Sequence, residues 1–542
     1  MTNWNFADVW RVVAETFPDR PAVAQGSVRL DWRSFDRRAE AVAASLVDAG
    51  LGHQSKVAQY LYNCPAYLET VFACFKAGLV PVNTNYRYTD DELVYLWDNA
   101  DAEAVVFHGS FAERVERIRS RLPGVKAWYW VADGDHTHCP DWASRYEDAA
   151  QAEPAGRAPT RRSGDDMLFI YTGGTTGMPK GVMWRQDDLF AVLNRTGEVR
   201  YPSDGGLDDV RRILAEPSKY PPARLVPGPP LMHGTGLFTA MSVLSSGGSV
   251  VMPEGRHLDV VALLDLVQEE RVTEMSIVGD AFAKPILAAL DAEPDRWDIS
   301  SLWLIISSGV MWSAEVKAGL LRHNPKLILA DTLGSSEAVG MARSTSRAGS
   351  MSETAGFVLG DDTKVLTDEG REVLPGSGEQ GRLALRGRGP MGYYKDPEKT
   401  ASTFLLINGE RWTIPGDFAT VRSDGSVQLL GRGSVCINTG GEKVFPEEVE
   451  EALKLHPAVA DAVVVGVPDD RFGETVTAVV EVAPGRDDPA DGELIDWVRA
   501  RLAAYKAPRH VVRVETIGRS PSGKVDYRRL RDHAVGAVSS PG

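Results

Sequence analysis

Strand-like and helix-like runs alternate along much of this chain, and that alternation restricts the possible fold more than any other feature. The segment 36–48 places its apolar residues on one helical face and ends before Gly50. The next apolar run, 56–61, predicts a strand, and 65–77 predicts a second helix. The same alternation returns between residues 249 and 329. Repeated strand–helix–strand units predict parallel sheets with helices packed on their faces.

The length of 542 residues exceeds what one hydrophobic core supports, so more than one domain is expected. Turn signals separate short strand-like runs between about 357 and 430, whereas 435–542 has an α+β pattern that ends in a tail expected to be disordered from residue 535. We predict an α/β fold with a large N-terminal domain of two parallel-rich α/β subdomains plus a small β-barrel-like unit, and a small mobile α+β C-terminal domain. The predicted limits are 1–431 for the large domain, 432–434 for a hinge and 435–542 for the small domain.

The composition argues against several classes of function. A formal net charge of −16 opposes nonspecific binding to nucleic acid or to anionic membranes. The sequence shows no apolar run long enough to span a bilayer and no signal-peptide pattern, so we expect a protein that is not integral to a membrane. The four cysteines, at 64, 74, 139 and 436, lack the spacing of a disulfide framework, which is typical of a cytoplasmic protein.

A strand-like run, 167–171, leads into a string that is rich in glycine and threonine. The string reads Tyr-Thr-Gly-Gly-Thr-Thr-Gly-Met-Pro-Lys-Gly over residues 171–181. Its glycines let the backbone approach a ligand closely, its hydroxyls can donate to anionic oxygens, and Lys180 adds a positive charge. The string therefore predicts a cradle for nucleotide phosphates, although Pro179 and Gly181 break the spacing of a Walker A loop. A short glycine-rich run alone is more often an ordinary Gly/Thr-rich turn, but the full eleven-residue string is much more specific than such a run.

This string resembles the phosphate-binding motif of the adenylate-forming enzymes, which include acyl-CoA synthetases, peptide-synthetase adenylation domains and luciferases. Further motifs of that family follow in order, so the resemblance extends from about residue 5 to about residue 530. Three stretches, 171–185, 392–396 and 431–450, are most similar to actinobacterial ligases that activate fatty acids or the carboxylated side chains of steroids. The resemblance implies that ATP phosphates bind to the cradle residues Thr172, Gly173, Gly174, Thr175, Thr176, Gly177 and Lys180.

A second motif runs from Asp331 to Glu337 at the end of a predicted strand. A carboxylate beside a triphosphate is a natural ligand for Mg²⁺, and the resemblance implies that Glu337 is a catalytic residue that holds this metal. Leu333 stands where the family often stacks an aromatic ring on adenine, so stacking should be weaker here. In isolation, the segment is better explained as a strand followed by a solvated glutamate. The resemblance assigns further nucleotide contacts to Gly309, Asp331, Thr332, Leu333, Gly334, Ser335 and Ser336.

A third motif, 229–236, contains His233 and resembles the family's substrate site. The resemblance implies a catalytic His233 at the mouth of the acyl pocket. Apolar residues follow at helical spacing, and they either belong to the core or line a pocket for an apolar tail. The polar segment 201–223 predicts an inserted loop with a short helix around 208–215, and the family-like stretch 75–83 is expected to be structural.

The C-terminal part carries the remaining motifs, whose roles are implied by the resemblance. Asp417 would accept hydrogen bonds from the ribose hydroxyls, as an ionised carboxylate does well. Arg432 would meet phosphate or ribose at the hinge, where Ser434 replaces the usual aspartate. Lys524 would be catalytic, bridging the α-phosphate and the acyl carboxylate. The bare backbone of two further residues would line a channel for the pantetheine arm of CoA: Gly440 and Gly441.

The resemblance as a whole implies an ATP-dependent acyl-CoA ligase with ATP, Mg²⁺ and CoA as cofactors. A carboxylate and ATP would form acyl-AMP and pyrophosphate, and CoA would then give acyl-CoA and AMP. The expected substrate has an apolar tail and is a medium- or long-chain fatty acid or a steroid side-chain carboxylate. The alternatives are an acyl-AMP ligase that delivers to a carrier protein, a catalytically silent nucleotide-binding regulator, and a luciferase-type oxidation. The sequence leaves a homodimer open.

Overall fold

The structure is a computed structural model that describes most of the chain. The described residues are 4–134, 136, 138–153, 162–172, 178–196, 199–217, 221–309, 312–354, 356–432, 437–439, 442–469, 473–502, 504–520 and 525–539. The chain divides into two compact units, the first formed by Met1–Thr354 and Arg386–Leu406, the second by Ala355–Leu385 and Ile407–Gly542. The predicted hinge stays a prediction, because most of it lies outside the described residues.

The helices in chain order are α1 (Phe6–Thr16), α2 (Trp32–Asp48), α3 (Pro65–Ala77), α4 (Asp90–Asn99), α5 (Ala112–Ile118), α6 (Tyr146–Gln151), α7 (Gln186–Thr196), α8 (Leu207–Ala215), α9 (Gly234–Ser245), α10 (Val260–Glu269), α11 (Gly279–Ala292), α12 (Ala314–His323), α13 (Pro397–Thr403), α14 (Pro446–Lys454), α15 (Asp491–Arg499) and α16 (Tyr527–Ser539). Short 3₁₀ turns occupy Gly109–Phe111, Arg119–Arg121 and Ala504–Lys506.

The strands in chain order are β1 (Pro21–Gln25), β2 (Val28–Asp31), β3 (Lys56–Tyr60), β4 (Val80–Asn83), β5 (Ala102–His108), β6 (Ala127–Val131), β7 (Ser144–Arg145), β8 (Met167–Thr172), β9 (Lys180–Arg185), β10 (Arg224–Pro227), β11 (Ser249–Met252), β12 (Glu274–Ile277), β13 (Leu304–Ser308), β14 (Ile328–Leu333), β15 (Ala342–Ser346), β16 (Gly356–Leu359), β17 (Thr363–Leu366), β18 (Gln380–Arg386), β19 (Gly392–Tyr393), β20 (Phe404–Ile407), β21 (Glu410–Thr413), β22 (Asp417–Val421), β23 (Val427–Arg432), β24 (Ile437–Thr439), β25 (Glu442–Val444), β26 (Val459–Asp469), β27 (Gly473–Val482) and β28 (His510–Val514).

The first unit contains two sheets built mainly from parallel strands. One has the order β2-β1-β11-β10-β12-β13-β14-β15, with antiparallel pairing at its two ends, β1–β2 and β14–β15. The other has the order β19-β9-β8-β4-β3-β5-β6-β7, in which β9 pairs antiparallel with β8 and β19. The remaining pairs of this second sheet are parallel. The sequence prediction of two parallel-rich subdomains is therefore confirmed.

Helices cover both faces of each of these sheets. Apolar side chains of α1, α2, α3, α7 and α9 fill the space between the two sheets. The opposite face of the first sheet packs against α10, α11 and α12, and that of the second sheet against α4 and α5. The unit is thus a stack of five layers in which one helical layer is shared. Within the described ranges, none of the helices combines the length and the apolar character that crossing a bilayer requires.

The second unit also contains two sheets. Strands β16, β23, β22, β18 and β17 pair antiparallel in that order. The second sheet has the order β25-β24-β27-β26, with β28 added parallel to β27. Because side chains alternate along β26, residues such as Val464 pack under α14 and α15, whereas neighbours such as Val463 pack under α16. The expected α+β character of the C-terminal part is confirmed.

Several helix limits follow from local sequence. Helix α3 begins at Pro65, where a missing N–H is tolerated, and ends before Gly78, whose φ is +64°. Helix α2 begins four residues before the predicted start, because the Asp31 side chain accepts from the Ser34 N–H and caps it. Helix α12 has the predicted limits.

Several helices were not predicted or differ from the prediction, and α11 and α16 are two of them. Helix α11 escaped prediction because Pro285 interrupts the helical pattern, yet the helix forms and buries Phe282 and Ile286. The expectation of a disordered tail is wrong for residues 535–539, since α16 continues to Ser539 and packs Val535 and Val538 against the core, while residues 540–542 lie outside the described residues. Both helices are stabilised by burial against the rest of the fold, and local sequence patterns do not show this burial.

Candidate active site

The predicted phosphate cradle leaves β8 and returns through β9. Thr172, the last residue of β8, is the ladder partner of Lys180, the first residue of β9. Gly181 has a packing role, because a Cβ there would lie 2.6 Å from the ring of Tyr171. The antiparallel pair therefore holds both ends of the cradle. The residues between these ends lie outside the described residues: Gly173, Gly174, Thr175, Thr176 and Gly177.

The cradle lysine is paired with a carboxylate. The Lys180 ammonium forms an ion pair with Asp396, and this contact lowers the pKa of that carboxyl. Asp396 also accepts from the Lys399 N–H at 2.9 Å and so caps α13. About 40% of the Lys180 side chain remains exposed. A phosphate that binds Lys180 must therefore compete with Asp396 for the ammonium.

Asn83, at the end of β4, connects the cradle strand to the His233 motif. Its Nδ2 donates to the carbonyls of Tyr171 at 2.9 Å and Met232 at 2.7 Å. Its Oδ1 accepts from the Tyr171 N–H at 2.6 Å. The stretch 75–83 is structural, as the sequence suggests, but the sequence does not show that its last residue fixes the active site. The one sequence signal for this role is that Asn83 is a polar residue at the end of an otherwise apolar strand.

The ends of β13 and β14 carry several of the predicted nucleotide residues. The Thr332 hydroxyl donates to the carbonyl of Ser307 at 2.9 Å, which ties the two strand ends together. Asp331 is buried and lies 3.3 Å from the Lys317 ammonium, and burial raises the pKa of its carboxyl to about 6. Gly309 follows β13 with a φ of +95°, a conformation that favours glycine. The Asp331 carboxylate thus belongs to the buried interior, whereas its neighbours lie at the strand ends.

A tight turn after β14 presents Glu337. The N–H of Ser335 donates to the carbonyl of Ala338 at 2.9 Å, and the Ser335 hydroxyl accepts from the N–H groups of Glu337 and Ala338. A Cβ at Gly334 would lie 2.8 Å from the carbonyl of Ala338, so the turn requires a residue without a side chain there. Leu333, the last residue of β14, is half-buried.

Two aromatic side chains from other parts of the chain donate hydrogen bonds to this turn. The Tyr393 hydroxyl donates to Glu337 Oε1 at 2.7 Å, and Trp184 Nε1 donates to the carbonyl of Ser336 at 2.8 Å. Both rings are buried. Trp184 also packs edge to face on Phe238 of α9, with ring centroids 6.4 Å apart. Sequence reasoning missed these roles, although Tyr393 lies in the family-like stretch 392–396.

His233 lies just before α9 and next to the Glu337 turn. It is half-buried, and its carbonyl accepts the first helical hydrogen bond, from the Leu237 N–H at 3.0 Å. A Cβ at Gly234 would lie 3.8 Å from the hydroxyl oxygen of Ser336. The first unit thus brings the cradle ends, the His233 motif and Glu337 together, as the motif assignments require.

The second unit holds the remaining predicted residues. Asp417 is the first residue of β22, is buried, and is the ladder partner of Arg432. The other predicted residues of this unit lie outside the described residues: Gly440, Gly441 and Lys524.

Comparison with known proteins agrees with this geometry. Residues 10–395 match the AMP-binding enzyme family, and residues 448–524 match the AMP-binding enzyme C-terminal domain. The chain therefore belongs to the AMP-binding enzyme family. Within it, the protein is an AMP-forming acyl-CoA ligase, which uses ATP, Mg²⁺ and CoA.

The relatives are similar along almost their whole length. A medium/long-chain-fatty-acid–CoA/3-oxocholest-4-en-26-oate–CoA ligase of Mycobacterium marinum is 40% identical, over 97% of this chain and 96% of its own. A 3-oxocholest-4-en-26-oate–CoA ligase of Rhodococcus rhodochrous is 39% identical over 97% and 95%. Among solved structures, the anthranilate CoA ligase AuaEII in complex with anthranoyl-AMP has a TM-score of 0.83 at 21% identity, covering 99% of this chain and 98% of its own, which shows the shared fold. ATP-bound MatB from Rhodopseudomonas palustris has a TM-score of 0.79 at 25% identity, over 98% and 100%.

The described residues can offer a magnesium ion one carboxylate, that of Glu337, but not a complete set of ligands. Among them, no group of three or more His, Cys, Asp or Glu side chains could enclose a metal. Glu337 supplies one half-buried carboxylate, oriented by Tyr393. Mg²⁺ in nucleotide sites commonly takes one or two carboxylates and completes its shell with phosphate oxygens and water. The site therefore suits an ion that arrives with ATP.

Proposed function

We propose that this ligase activates carboxylic acids with a long apolar tail, namely medium- or long-chain fatty acids or the carboxylated side chains of steroids. The observation that carries the proposal is 39–40% identity, along 97% of the chain, to ligases named for these substrates. Helix α9 supports it, because this largely apolar helix starts directly after His233 and buries Leu237, Phe238 and Met241. Apolar walls beside a reacting carboxylate favour an apolar tail.

In the first half-reaction, a carboxylate oxygen attacks the α-phosphorus of ATP and pyrophosphate leaves. Thr172 and Lys180 bind the outer phosphates, and Lys180 exchanges Asp396 for a phosphate oxygen. Glu337 would hold Mg²⁺, which would supply neutralising charge for the leaving pyrophosphate. Lys524 places an ammonium at the α-phosphate, where negative charge develops in the transition state. The strand ends near Gly309 and 332–336 position the nucleotide base, and the buried Asp331 supports them from the interior through its ion pair with Lys317.

In the second half-reaction, the CoA thiol attacks the acyl carbonyl carbon and AMP leaves. Asp417 holds the ribose hydroxyls, and the bare backbone of Gly440 and Gly441 admits the pantetheine arm. Arg432 marks the hinge about which the small domain turns between the two half-reactions. These assignments rest on the family motifs at those positions.

The substrate proposal is tested by the release of AMP in the presence of CoA. Purified protein is supplied with acetate, fatty acids of increasing length, benzoate and 3-oxocholest-4-en-26-oate. We expect kcat/KM to rise from acetate to the longer acids, because the tail buries apolar surface that acetate lacks. A higher kcat/KM for acetate than for every long-chain or steroid acid would refute the proposal.

The two half-reactions are separated by a pair of variants. Lys524→Ala should nearly abolish pyrophosphate exchange but should still form thioester from synthetic acyl-adenylate and CoA. Gly441→Leu should do the reverse, because a side chain there fills the pantetheine channel. Equal losses of both half-reactions in both variants would contradict the proposed division of labour between these residues.

We further propose that the protein works in the cytoplasm. Three of the four cysteines are described, and Cys64, Cys74 and Cys139 are all free thiols, which agrees with a reducing cytoplasm. Fractionation of cells expressing the tagged protein tests the location. Light scattering of the purified protein tests the homodimer that the sequence leaves open.

A further inference from the structure

A cluster of charged and polar side chains in the second unit holds the chain on both sides of Lys524. Arg519 precedes Lys524 in the sequence and Tyr527 follows it. The two half-reactions as proposed above use none of the side chains of this cluster. Its members come from α14, from β26 and from the chain around Lys524: Glu450, Lys454, Asp461, Arg519 and Tyr527.

Arg519 fixes the chain on the N-terminal side of Lys524. Its guanidinium donates to both carboxylate oxygens of Asp461 on β26, from Nε to Oδ2 and from Nη2 to Oδ1, the latter at 2.9 Å. The same Nη2 lies 3.4 Å from the carbonyl of Ala462. Such a two-bond contact fixes direction as well as distance, because the guanidinium is planar. Only 19% of the Arg519 side chain and 20% of the Asp461 side chain are exposed, so water competes little with this pair.

Tyr527 fixes the chain on the C-terminal side of the same segment. Its hydroxyl donates to Glu450 Oε1 at 3.1 Å, and the same oxygen accepts from the Val464 N–H of β26 at 3.0 Å. Glu450 is buried, and its other oxygen lies 3.8 Å from the Lys454 ammonium, which in turn lies 3.5 Å from Asp461. Lys454 therefore links the carboxylates that hold the two sides of the segment.

The segment is also closed at its base. Arg529 of α16 donates from Nη2 to the carbonyl of Ile517 at 2.6 Å, so the chain before Lys524 meets the chain after it. Ile517 is buried in the core under α16, and its N–H donates to Glu481 of β27 at 2.8 Å. A segment held in this way loses less conformational entropy when one of its side chains must adopt a single position for reaction.

We propose that Arg519 and Tyr527 are positioning residues for Lys524, which hold the chain on its two sides so that the ammonium is presented to the α-phosphate during adenylation. The inference rests on the role proposed for Lys524 and deepens it. An ammonium stabilises a transition state best when it is already placed where the charge develops. The contacts to β26 and α14 supply this placement from within the same unit. Thioester formation, which does not use Lys524, should not depend on them.

The first test is Arg519→Met, which keeps an unbranched side chain and removes the guanidinium. Lys454 remains beside Asp461, so that carboxylate keeps a cation and the protein should still fold. Pyrophosphate exchange should fall about 10- to 100-fold, because small misplacements of a reacting group have effects of this size. The loss should appear in kcat rather than in KM for ATP. Thioester formation from synthetic acyl-adenylate and CoA should stay within about twofold of wild type.

Two conservative variants and a control accompany it. Arg519→Lys keeps the charge but not the two parallel bonds, so its loss should be intermediate. Tyr527→Phe removes one oxygen and keeps the ring, so it should fold and show a smaller loss in the same half-reaction. The matched control is Arg513→Met in β28, because Arg513 pairs instead with Asp488 at 2.7 Å and Asp491 at 2.8 Å. This substitution should change neither half-reaction. All assays are run below the melting temperature of the least stable variant.

Selective loss of pyrophosphate exchange in Arg519→Met and Tyr527→Phe supports the proposal. Equal losses of both half-reactions, or an unchanged exchange rate in either folded variant, would overturn it. If Arg519→Met does not fold, Arg519→Lys takes its place. Lys524→Ala separates this inference from the proposed function. If Lys524→Ala exchanges pyrophosphate at the wild-type rate, the role proposed for Lys524 fails and this inference with it. If Lys524→Ala loses exchange while the other variants keep it, only this inference fails.

Discussion

The hydrogen bond from Tyr393 to Glu337 offers the sharpest test of the metal site. Tyr393→Phe removes one oxygen atom and leaves the buried ring in place. A hydrogen bond to a charged group contributes about 1.5–3 kcal/mol, and the lower end applies because Glu337 is half-buried. If that orientation is needed for adenylation, a loss of about 1.5–2 kcal/mol corresponds to a rate roughly 10- to 30-fold lower.

The assay is pyrophosphate exchange with the preferred acid over a range of Mg²⁺ concentrations. The deficit should be largest at limiting Mg²⁺ and should shrink as Mg²⁺ rises, because a poorly oriented carboxylate still binds the ion at higher concentration. The chain offers a matched control in the next residue. Tyr394 donates to the exposed Asp101 at 2.7 Å, so Tyr394→Phe removes a bond of the same length away from the site. Equal effects of the two substitutions, or a deficit that Mg²⁺ does not change, would refute the reasoning.

Three further substitutions test the scaffold. Asn83→Ala leaves three buried backbone groups without their partner and should lower the free energy of unfolding by about 3 kcal/mol, measured by urea denaturation. Because burial raises the pKa of Asp331 from 3.8 to about 6, its favourable contribution to stability is complete below pH 4 and is lost as pH rises through 6; Asp331→Asn should remove this part of the pH dependence in thermal unfolding from pH 4 to 7. Arg38→Met leaves the fully buried Glu69 unpaired and should cost about 3–5 kcal/mol in the same denaturation assay, whereas Glu147→Gln, at the exposed partner of Arg38, should cost less than about 1 kcal/mol.

Local signals were enough to predict many elements. Pro65 begins α3 and Gly78 ends it. Both act locally, so their effect can be recognised in a short window of sequence. Helix α9 and several strands of the two sheets, among them β3 and β8, follow from apolar patterns of the same kind, whereas strands such as β1 and β10 were not predicted. The identity of the family followed from the order of the motifs, with the cradle string as the most specific of them.

Long-range contacts could not be predicted in this way. Asn83 acts on Tyr171 and Met232, which are 88 and 149 residues away in the chain. The burial of Asp331 against Lys317 depends on how α12 packs beside β14. A periodic pattern shows which face of an element is buried, but it does not show which polar side chain meets which partner. The polar contacts around the site therefore became visible only in the folded chain.

The shared helical layer of the first unit has a consequence for how this enzyme can change. Because α7 and α9 are packed between two sheets, their apolar side chains, such as those of Leu193 and Leu237, belong to the hydrophobic core that both sheets share. A substitution that admits a new acid there alters the packing that keeps the unit folded. New substrate preference should therefore be gained most readily by variants that first acquire surplus stability elsewhere, for example on the exposed surfaces of α4 or α10.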